Sequence, residues 1–365
     1  MSYKKNLYFI AKCLTISLED KNRQEIEKQL KSKSIDWDAV VKVSTSHYVF
    51  PALYCNLQRL DFLQYLPTDL VEYMKYLTDL NRERNEQILL QAKDLNSLLL
   101  ANNIKPIFLK GTGNLLAGIY EDIAERMVGD IDFIFSKEDY PKSIAILREF
   151  GYSELNKYKY HLPSTKHYKR LQKDNNIAAI EIHKELLIEK YQNEFNYSFV
   201  EKDSQVIKGV SVLSYRNKLN LSIISNHIND NGIYYKTMAL RNAYDVFLLS
   251  KKTNLKDAVN ALDKLTNPLN CFLAVCYEVF NNVDSLEYNK TKKAASYLSA
   301  FNSKFNNRKT TKIRHQCIKI YLFIKSRLKI IYKSIIYKEY RFWLFKRLTD
   351  KTWYKEKIIY LGIKK

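Results

Sequence analysis

Glycine, proline and cysteine are scarce in this sequence of 365 residues, which contains 8, 6 and 5 of them respectively. Hydrophobic residues make up 46% of the chain and charged residues 27%, which excludes disordered and collagen-like proteins. The cysteines are scattered, odd in number and never spaced as C-x-x-C, which argues against both a disulfide framework and a zinc site. We therefore expect a folded protein of the reducing cytoplasm.

Long uncharged apolar runs are also lacking. None of them approaches the roughly 20 residues that a membrane-spanning helix requires, so we expect no transmembrane segment. Near the N-terminus, Lys12 interrupts an apolar run, and Glu19, Asp20 and Lys21 follow without a small-residue cleavage site. This pattern does not predict a signal peptide.

Acidic residues are too few to balance the basic ones, and the formal net charge is +21. The imbalance is concentrated in residues 304–365, where 19 lysines and arginines accompany only 3 acidic residues. A basic excess of this kind usually indicates a phosphate-bearing partner, such as nucleic acid, anionic lipid or nucleotide. Residues 1–303 are nearly balanced, so a chemical site there has to be identified from its own residues.

The spacing of apolar residues predicts an α/β protein in four parts. Helical spacing, as in Val71, Met74 and Leu77, extends to about Asn103 and returns after Lys218. Short strand patterns lie between these two regions. The predicted parts are an N-terminal helical region, a central core, a C-terminal helical bundle and a basic amphipathic tail (1–103, 104–214, 215–303 and 304–365).

The central core is predicted to alternate strands and helices. Five of the eight glycines lie between positions 111 and 151, which indicates backbone that turns sharply or approaches another group closely. Ser136 is expected to cap the second helix and Gly151 to end it. The last strand carries Glu181 and His183 on one face, because side chains alternate along a strand. The predicted elements are a strand, a short helix, a strand, a helix and a hairpin of two strands (104–109, 115–121, 130–135, 137–150, and 167–172 with 177–183).

Two carboxylates, Asp130 and Asp132, occupy positions i and i+2 of a predicted strand, on the same face and about 7 Å apart along it. Paired carboxylates suit divalent cations, and two such ions clamp the attacking and leaving oxygens of a phosphoryl displacement. A third carboxylate from a neighbouring strand usually orients the nucleophile or completes the shell of an ion, and Glu181 is the candidate. The alternative interpretation is a solvated strand face or a helix-cap pair.

Two basic residues are candidates for phosphate contact. Lys110 lies where the first predicted strand turns into a helix, so its charge and the backbone N–H groups that follow it could receive a triphosphate. The alternative is a plain turn in which Gly111 provides a positive φ. Arg126 has a guanidinium that can bind phosphate in a bidentate manner. Its alternative is a surface arginine paired with Glu125 or Glu121.

The histidines give weaker signals. His183 is expected either to donate a proton or contact a nucleotide, or to be a structural group at the end of a half-buried strand. His161, His167 and His227 have no metal-ligand spacing to each other or to cysteine, and we expect structural roles for them. Asp245 is expected to cap its helix or pair with an arginine of that helix, with a site role as the alternative.

The order of these parts resembles the nucleotidyltransferase fold of the DNA polymerase beta superfamily, with a glycine turn, a short helix, a D-x-D strand and a later carboxylate. More narrowly, the sequence resembles the bacterial uncharacterised nucleotidyltransferase family over about residues 30–255. The family's patterns "gI..i.lKG", "R..gDiDl" and "i.lH" correspond here to segments 104–111, 126–133 and 180–183.

The resemblance implies a polymerase-beta-like core with a small mixed sheet, flanked by helical regions. It implies transfer of a nucleoside monophosphate from a nucleoside triphosphate (NTP) to an acceptor hydroxyl, with release of pyrophosphate and with Mg²⁺ or Mn²⁺ as the cofactor. The implied catalytic residues and metal ligands are Asp130, Asp132 and Glu181. The implied nucleotide and phosphate contacts are Lys110, Gly111, Thr112, Arg126, Gly129 and His183.

Two interpretations remain for the basic tail, in which apolar residues follow one helix face (Ile313, Cys317, Ile320, Ile324, Leu328, Ile331 and Ile335). In the first, the tail lies on anionic lipid or on RNA; binding to lipid would make the protein membrane-peripheral. In the second, the tail packs this stripe against the body of the protein and leaves its lysines in solvent. The alternative function is therefore a catalytically degenerate protein that the tail docks on membrane or RNA. The acceptor, the nucleotide base and the oligomeric state stay open.

Overall fold

A computed structural model describes residues 2–155, 162–163 and 165–361 of the chain. Contacts divide them into two compact units. The first unit comprises the described residues of 1–155 and 166–299, and the second those of 156–165 and 300–365. The four predicted parts stay a prediction. His161 and the last four residues of the predicted tail lie outside the described residues.

The first unit begins with helices, as the apolar spacing predicts. The longest of them buries Met74, Ile88, Leu95 and Leu99 along one face, which is the arrangement that an amphipathic helix requires. The N-terminal helices are α1 (Tyr3–Cys13), α2 (Asp20–Lys31), α3 (Trp37–Ser46), α4 (Phe50–Arg59) and α5 (Thr68–Ala101).

A mixed sheet of seven strands follows, in the order β3-β4-β5-β2-β1-β7-β6. Strands β2 and β5 are parallel, as are β1 and β7, and the other neighbouring pairs are antiparallel. The chain is therefore an α/β protein, as predicted. The strands are β1 (Ile107–Phe108), β2 (Asp130–Ile134), β3 (Ser153–Glu154), β4 (Leu171–Gln172), β5 (Ala179–His183), β6 (Gln205–Ile207) and β7 (Val210–Val212). The helices between them are α6 (Lys110–Leu116), α7 (Asp139–Glu149) and α8 (Tyr197–Glu201).

The predicted helix at 115–121 is wrong, because helix α6 begins directly after β1. Its first turn contains Gly111 and Gly113, which have low helix propensity and led the pattern to favour a later start. Both glycines are needed for close packing. A Cβ at Gly113 would lie 2.6 Å from the backbone oxygen of Phe108. Helix α6 therefore lies tightly against the strand that precedes it.

Other elements of the core confirm the predictions. Ser136 accepts a hydrogen bond from the backbone N–H of Asp139 at the start of α7. Gly151 follows the helix with a φ of +93°. The predicted hairpin forms between β4 and β5, with Leu171 opposite Ile180.

Further helices complete both units. His227 is fully buried against the rings of Phe272 and Tyr297, which agrees with the structural role expected for it. The helices that follow the sheet are α9 (Tyr215–Ile224), α10 (Gly232–Tyr235), α11 (Leu240–Ser250), α12 (Leu255–Asn260), α13 (Thr266–Val279) and α14 (Lys292–Ser303). Those of the tail are α15 (Arg308–Ile336), α16 (Lys338–Leu348) and α17 (Lys351–Leu361). In the described part of the chain, no helix has both the length and the apolar character needed to cross a bilayer.

The close packing of α6 makes Gly113 a sensitive position. We expect Gly113→Ala to lower the free energy of unfolding by about 1–3 kcal/mol, the usual cost of overpacking, because the added methyl group meets a backbone atom rather than a movable side chain. Gly129→Ala is the matched control, since a Cβ there meets no described atom within 4 Å. Thermal unfolding of both variants would check this, and equal melting temperatures would contradict the packing argument.

Candidate active site

The candidate site forms where β2 and β5 run side by side. Their parallel register pairs Asp132 with Glu181, and His183 lies two residues further along β5, on the same face as Glu181. One possible ligand atom from each of these three residues lies within 4.8 Å of the other two. All three side chains are buried. The register of two strands thus brings together residues that are about 50 positions apart in the sequence.

Hydrogen bonds join this cluster to Lys110. The Lys110 Nζ lies 2.6 Å from Asp132 Oδ1 and 3.3 Å from Glu181 Oε2. The His183 Nε2 lies 2.8 Å from the same Asp132 oxygen and 3.4 Å from the same Glu181 oxygen. Both donors therefore bridge the same two carboxylate oxygens. A divalent cation shared by two carboxylates would need a similar position.

Neighbouring charges and hydrogen bonds outweigh burial in setting the pKa values of Lys110, His183 and Glu181. Burial lowers the pKa of Lys110, but the carboxylates of Asp132 and Glu181 raise it above its usual value. Burial also lowers the pKa of His183, and hydrogen bonds to the same carboxylates give a net increase. Burial raises the pKa of Glu181, but the His183 hydrogen bond and the Lys110 charge lower it overall. The site therefore holds an ionised Glu181 beside a charged lysine.

Lys110 reaches the cluster from a left-handed backbone position. Its φ is +48°, a conformation that costs a residue other than glycine about 1–2 kcal/mol. The interpretation in which Gly111 provides the positive φ of this turn is therefore wrong. Gly111 is needed for space instead, because a Cβ there would lie 2.9 Å from Val128 Cγ2.

Arg170 is a site residue that the sequence analysis missed. Its guanidinium forms an ion pair with Asp130, and its Nε lies 3.4 Å from Glu181 Oε1. Burial raises the pKa of Asp130 more than this arginine lowers it. The pairing of Leu171 with Ile180 sets Arg170 opposite Glu181 across the hairpin. The hairpin itself is predictable, but a turn of four polar residues leaves its register open.

Further ionisable groups lie around the cluster. His167 Nδ1 is 3.9 Å from Glu181 Oε1, and its ring centroid is 5.7 Å from that of His183. His167 is thus at the edge of the site rather than remote from it. Burial lowers the pKa of Lys166 and raises that of Asp230, and each of the two interacts electrostatically with the other and with the lysine of the cluster.

Arg126 lies outside the cluster. Its buried guanidinium forms an ion pair with Asp245, at 3.0 Å between Nη2 and Oδ2. Burial lowers the pKa of Arg126, but the charge of Asp245 raises it overall. The Tyr120 hydroxyl donates to the same carboxylate at 2.6 Å. The alternative interpretation, a surface arginine paired with Glu125 or Glu121, is therefore wrong, and a phosphate contact of Arg126 stays a prediction.

Thr112 and Gly129 lie beside the cluster. The buried Thr112 hydroxyl donates to the backbone oxygen of Asp130 at 3.0 Å, which fixes the start of β2. A Cβ at Gly129 would meet no described atom within 4 Å, so the backbone there is open to approach. Nucleotide contacts of both residues stay predictions.

A loop at residues 120–126, here called the hub loop, connects the helices to the sheet. The buried Glu125 carboxylate forms an ion pair with Arg59 of α4 and accepts a hydrogen bond at 2.5 Å from the Tyr244 hydroxyl of α11. Asn85 of α5 donates to two backbone oxygens of the loop at 2.6 and 2.8 Å. Three helices from both ends of the first unit therefore hold the segment that leads into β2.

Comparison with known protein families decides the assignment. The sequence pattern of the family described as "Uncharacterised nucleotidyltransferase" matches residues 33–280, more than half of the chain. The chain belongs to this family. Among solved structures, the crystal structure of JHP933 from Helicobacter pylori shows 14% identity over 66% of this chain and 97% of that chain, with a TM-score of 0.29. So weak a likeness adds nothing to the assignment, and the comparison with curated proteins gave no match.

Membership of a nucleotidyltransferase family implies a divalent cation, and the donors of the cluster fit one. The oxygens of Asp132 and Glu181 are the hard donors that Mg²⁺ and Mn²⁺ prefer. His183 fits less well, because an ion at Nε2 would move the ring proton to Nδ1, a buried atom with no hydrogen-bond partner among the described residues. Asp130 stands outside this group, paired with Arg170. The two carboxylates are thus best suited to hold the ion.

The left-handed turn of this nucleotidyltransferase-family protein can be tested with two variants. Lys110→Ala and Lys110→Gly both remove the ammonium group, but only glycine adopts a φ of +48° without strain. We expect Lys110→Gly to be more stable than Lys110→Ala by about 1 kcal/mol, measured by urea unfolding. In an ordinary helical turn the alanine variant would be the more stable one. A more stable Lys110→Ala would therefore contradict the left-handed conformation of this turn.

Proposed function

We propose that this protein is a divalent-metal-dependent nucleotidyltransferase that moves a nucleoside monophosphate from an NTP to an acceptor hydroxyl. The observation that carries the proposal is the buried cluster of Asp132, Glu181 and His183, bridged by Lys110, within the segment that the family pattern matches. In the reaction the acceptor oxygen bonds to the α-phosphorus, the bond from that phosphorus to the bridging oxygen breaks, and pyrophosphate leaves. The acceptor proton passes to a carboxylate of the cluster or to water.

The roles follow from the contacts of the cluster. Asp132 and Glu181 would hold Mg²⁺ or Mn²⁺, and Asp130 would be an additional ligand beside them. The bound ion supplies charge neutralisation for the triphosphate and for the attacking and leaving oxygens. Lys110 places a cation at the same carboxylates, and His183 orients them through its hydrogen bonds. Catalysis then rests on positioning and charge. The other proposed nucleotide contacts are Gly111, Thr112, Arg126 and Gly129.

The proposal also assigns this protein to bacteria and to the DNA polymerase beta superfamily. The order of elements supports the superfamily, because a glycine turn and the short helix α6 precede the D-x-D strand β2. The third carboxylate, Glu181, lies on the strand that runs parallel to β2.

The first test is calorimetric titration of the protein with ATP, GTP, CTP and UTP in Mg²⁺ and in EDTA. We expect one nucleotide to bind, only with metal, and we expect Asp132→Asn to weaken its binding by more than about tenfold, since one ligand oxygen is lost. Asp130→Asn should abolish transfer and keep the fold.

Asp174→Asn is the control for this titration. It removes an exposed carboxylate in the turn of the hairpin, away from the cluster, and should bind nucleotide as the unmodified protein does. Absence of binding for all four nucleotides, or unchanged binding by Asp132→Asn, would remove the proposed activity.

The second candidate function is a catalytically degenerate protein that the tail docks on an anionic membrane. The observation that favours docking is the exposure of the apolar stripe on α15, whose residues are all exposed (Ile313, Cys317, Ile320, Ile324, Leu328, Ile331 and Ile335). Basic residues lie off the stripe on the same helix, and each contributes about 1 kcal/mol near an anionic lipid surface. The same docking would place an active enzyme at the periphery of a membrane.

We also propose that the protein is cytoplasmic, whichever of the two functions it has. Cys13, Cys55, Cys271 and Cys276 are buried free thiols, as expected of a protein kept in a reducing compartment.

Docking can be tested by sedimentation of the full chain with vesicles. We expect binding to vesicles that contain phosphatidylserine, loss of binding as salt is raised, and loss on Ile324→Glu, which places a charge on the stripe. Leu90→Glu is the control, because Leu90 is exposed on α5, outside the tail. Binding to single-stranded RNA but not to vesicles would overturn the membrane proposal in favour of RNA.

A further inference from the structure

We propose that Arg170 and Lys110 are exchangeable counter-ions of the site. In this view they cover the carboxylates until metal and nucleotide arrive, then bind the triphosphate while the ion takes the carboxylates. Metal and NTP would consequently bind cooperatively, with Arg170 as a phosphate-binding residue. The inference rests on the proposed function and deepens it.

The first argument is the arrangement of the charges. Lys110 contacts Asp132 and Glu181, and Arg170 contacts Asp130 and Glu181, so every carboxylate of the proposed metal site already has a cation of the protein on it. Three carboxylates with two permanent cations leave little net charge. This pairing offsets the cost of burying carboxylates in the absence of a ligand.

The second argument is the order of exposure. The side chains of Arg170 and Lys110 are 47% and 31% exposed, whereas those of Asp130, Asp132 and Glu181 are 20%, 9% and 11% exposed. The cations therefore lie toward solvent relative to the carboxylates they contact. An ion that approaches these carboxylates from solvent has to displace one or both cations.

The third argument is the balance of charge when a ligand enters. A divalent ion alone would add two positive charges to a nearly neutral site and would be repelled by the two displaced cations. A triphosphate brings the negative charge that these cations then need as a partner. Each ligand therefore favours the binding of the other, and this coupling is reciprocal.

Arg170 is suited to the exchange. Its guanidinium has a planar set of donors that matches phosphate oxygens in a bidentate manner. Because its side chain is half exposed and lies just before β4, it can turn toward a ligand by side-chain rotation alone. The ion pair with Asp130 is then the resting position of a residue whose working partner is phosphate.

The test is Arg170→Gln, with metal and nucleotide affinities measured separately. Without nucleotide, Mn²⁺ titration followed by electron paramagnetic resonance should show metal binding that is tighter by about threefold or more, since one competing cation is gone. With saturating Mn²⁺, calorimetry should show NTP binding that is weaker by about tenfold, since one charged phosphate contact is lost. A variant that merely misfolds would weaken both affinities.

Two variants serve as controls. Lys169→Gln removes the same charge one residue earlier, where the side chain pairs with Glu154 outside the site, and both affinities should stay unchanged. Arg170→Lys keeps the charge without the planar fork, so the metal affinity should stay near that of the unmodified protein and the NTP affinity should fall less than with glutamine.

The outcomes separate this inference from the proposed function. If the unmodified protein binds metal and one NTP, but Arg170→Gln leaves NTP binding unchanged or weakens metal binding, Arg170 is a structural residue and the inference is overturned alone. If the unmodified protein binds none of the four nucleotides, the proposed function fails and takes the inference with it. Opposite changes of the two affinities in Arg170→Gln support the exchange.

Discussion

The parallel pairing of β2 with β5 is the constraint on which the candidate site depends. It sets Asp132 directly beside Glu181, and two buried carboxylates side by side repel each other. Lys110 and His183 make this arrangement tolerable by donating to an oxygen of each. The strained turn at Lys110 has the same origin, because the left-handed φ directs the ammonium group toward the strands. The attraction between Lys110 and the two carboxylates thus offsets both the strain of the turn and the repulsion between the carboxylates.

Much of this architecture follows from local patterns. The α/β class, strand β2, helix α7 and the hairpin are all predictable, since side-chain alternation and capping act over a few residues. The same patterns place Asp132, Glu181 and His183 on strand faces, and the structure brings them together. The bounds of α6 could not be predicted, because the glycines that allow its close packing also weaken the helical signal.

Residues whose partners are distant in the sequence could not be predicted from it. Arg126 pairs with Asp245 across 119 positions, whereas its sequence neighbours suggested a surface pair. Arg170 faces Glu181 only because of the register of the hairpin. Both arginines contact carboxylates that lie in other elements, and no short motif specifies such a partner. The tertiary fold, rather than composition, distinguishes a buried arginine outside the cluster from one at the edge of the site.

The hub loop limits how such a protein can be inherited. Its buried Glu125 needs Arg59, which lies upstream of the sheet, and Tyr244, which lies downstream of it. Recombination that transferred the sheet alone would leave this carboxylate buried without its partners, a loss of about 3–5 kcal/mol for a broken buried pair. The sheet and its flanking helices therefore depend on one another for stability. The match to the family spans helices on both sides of the sheet, including those that contribute Arg59 and Tyr244.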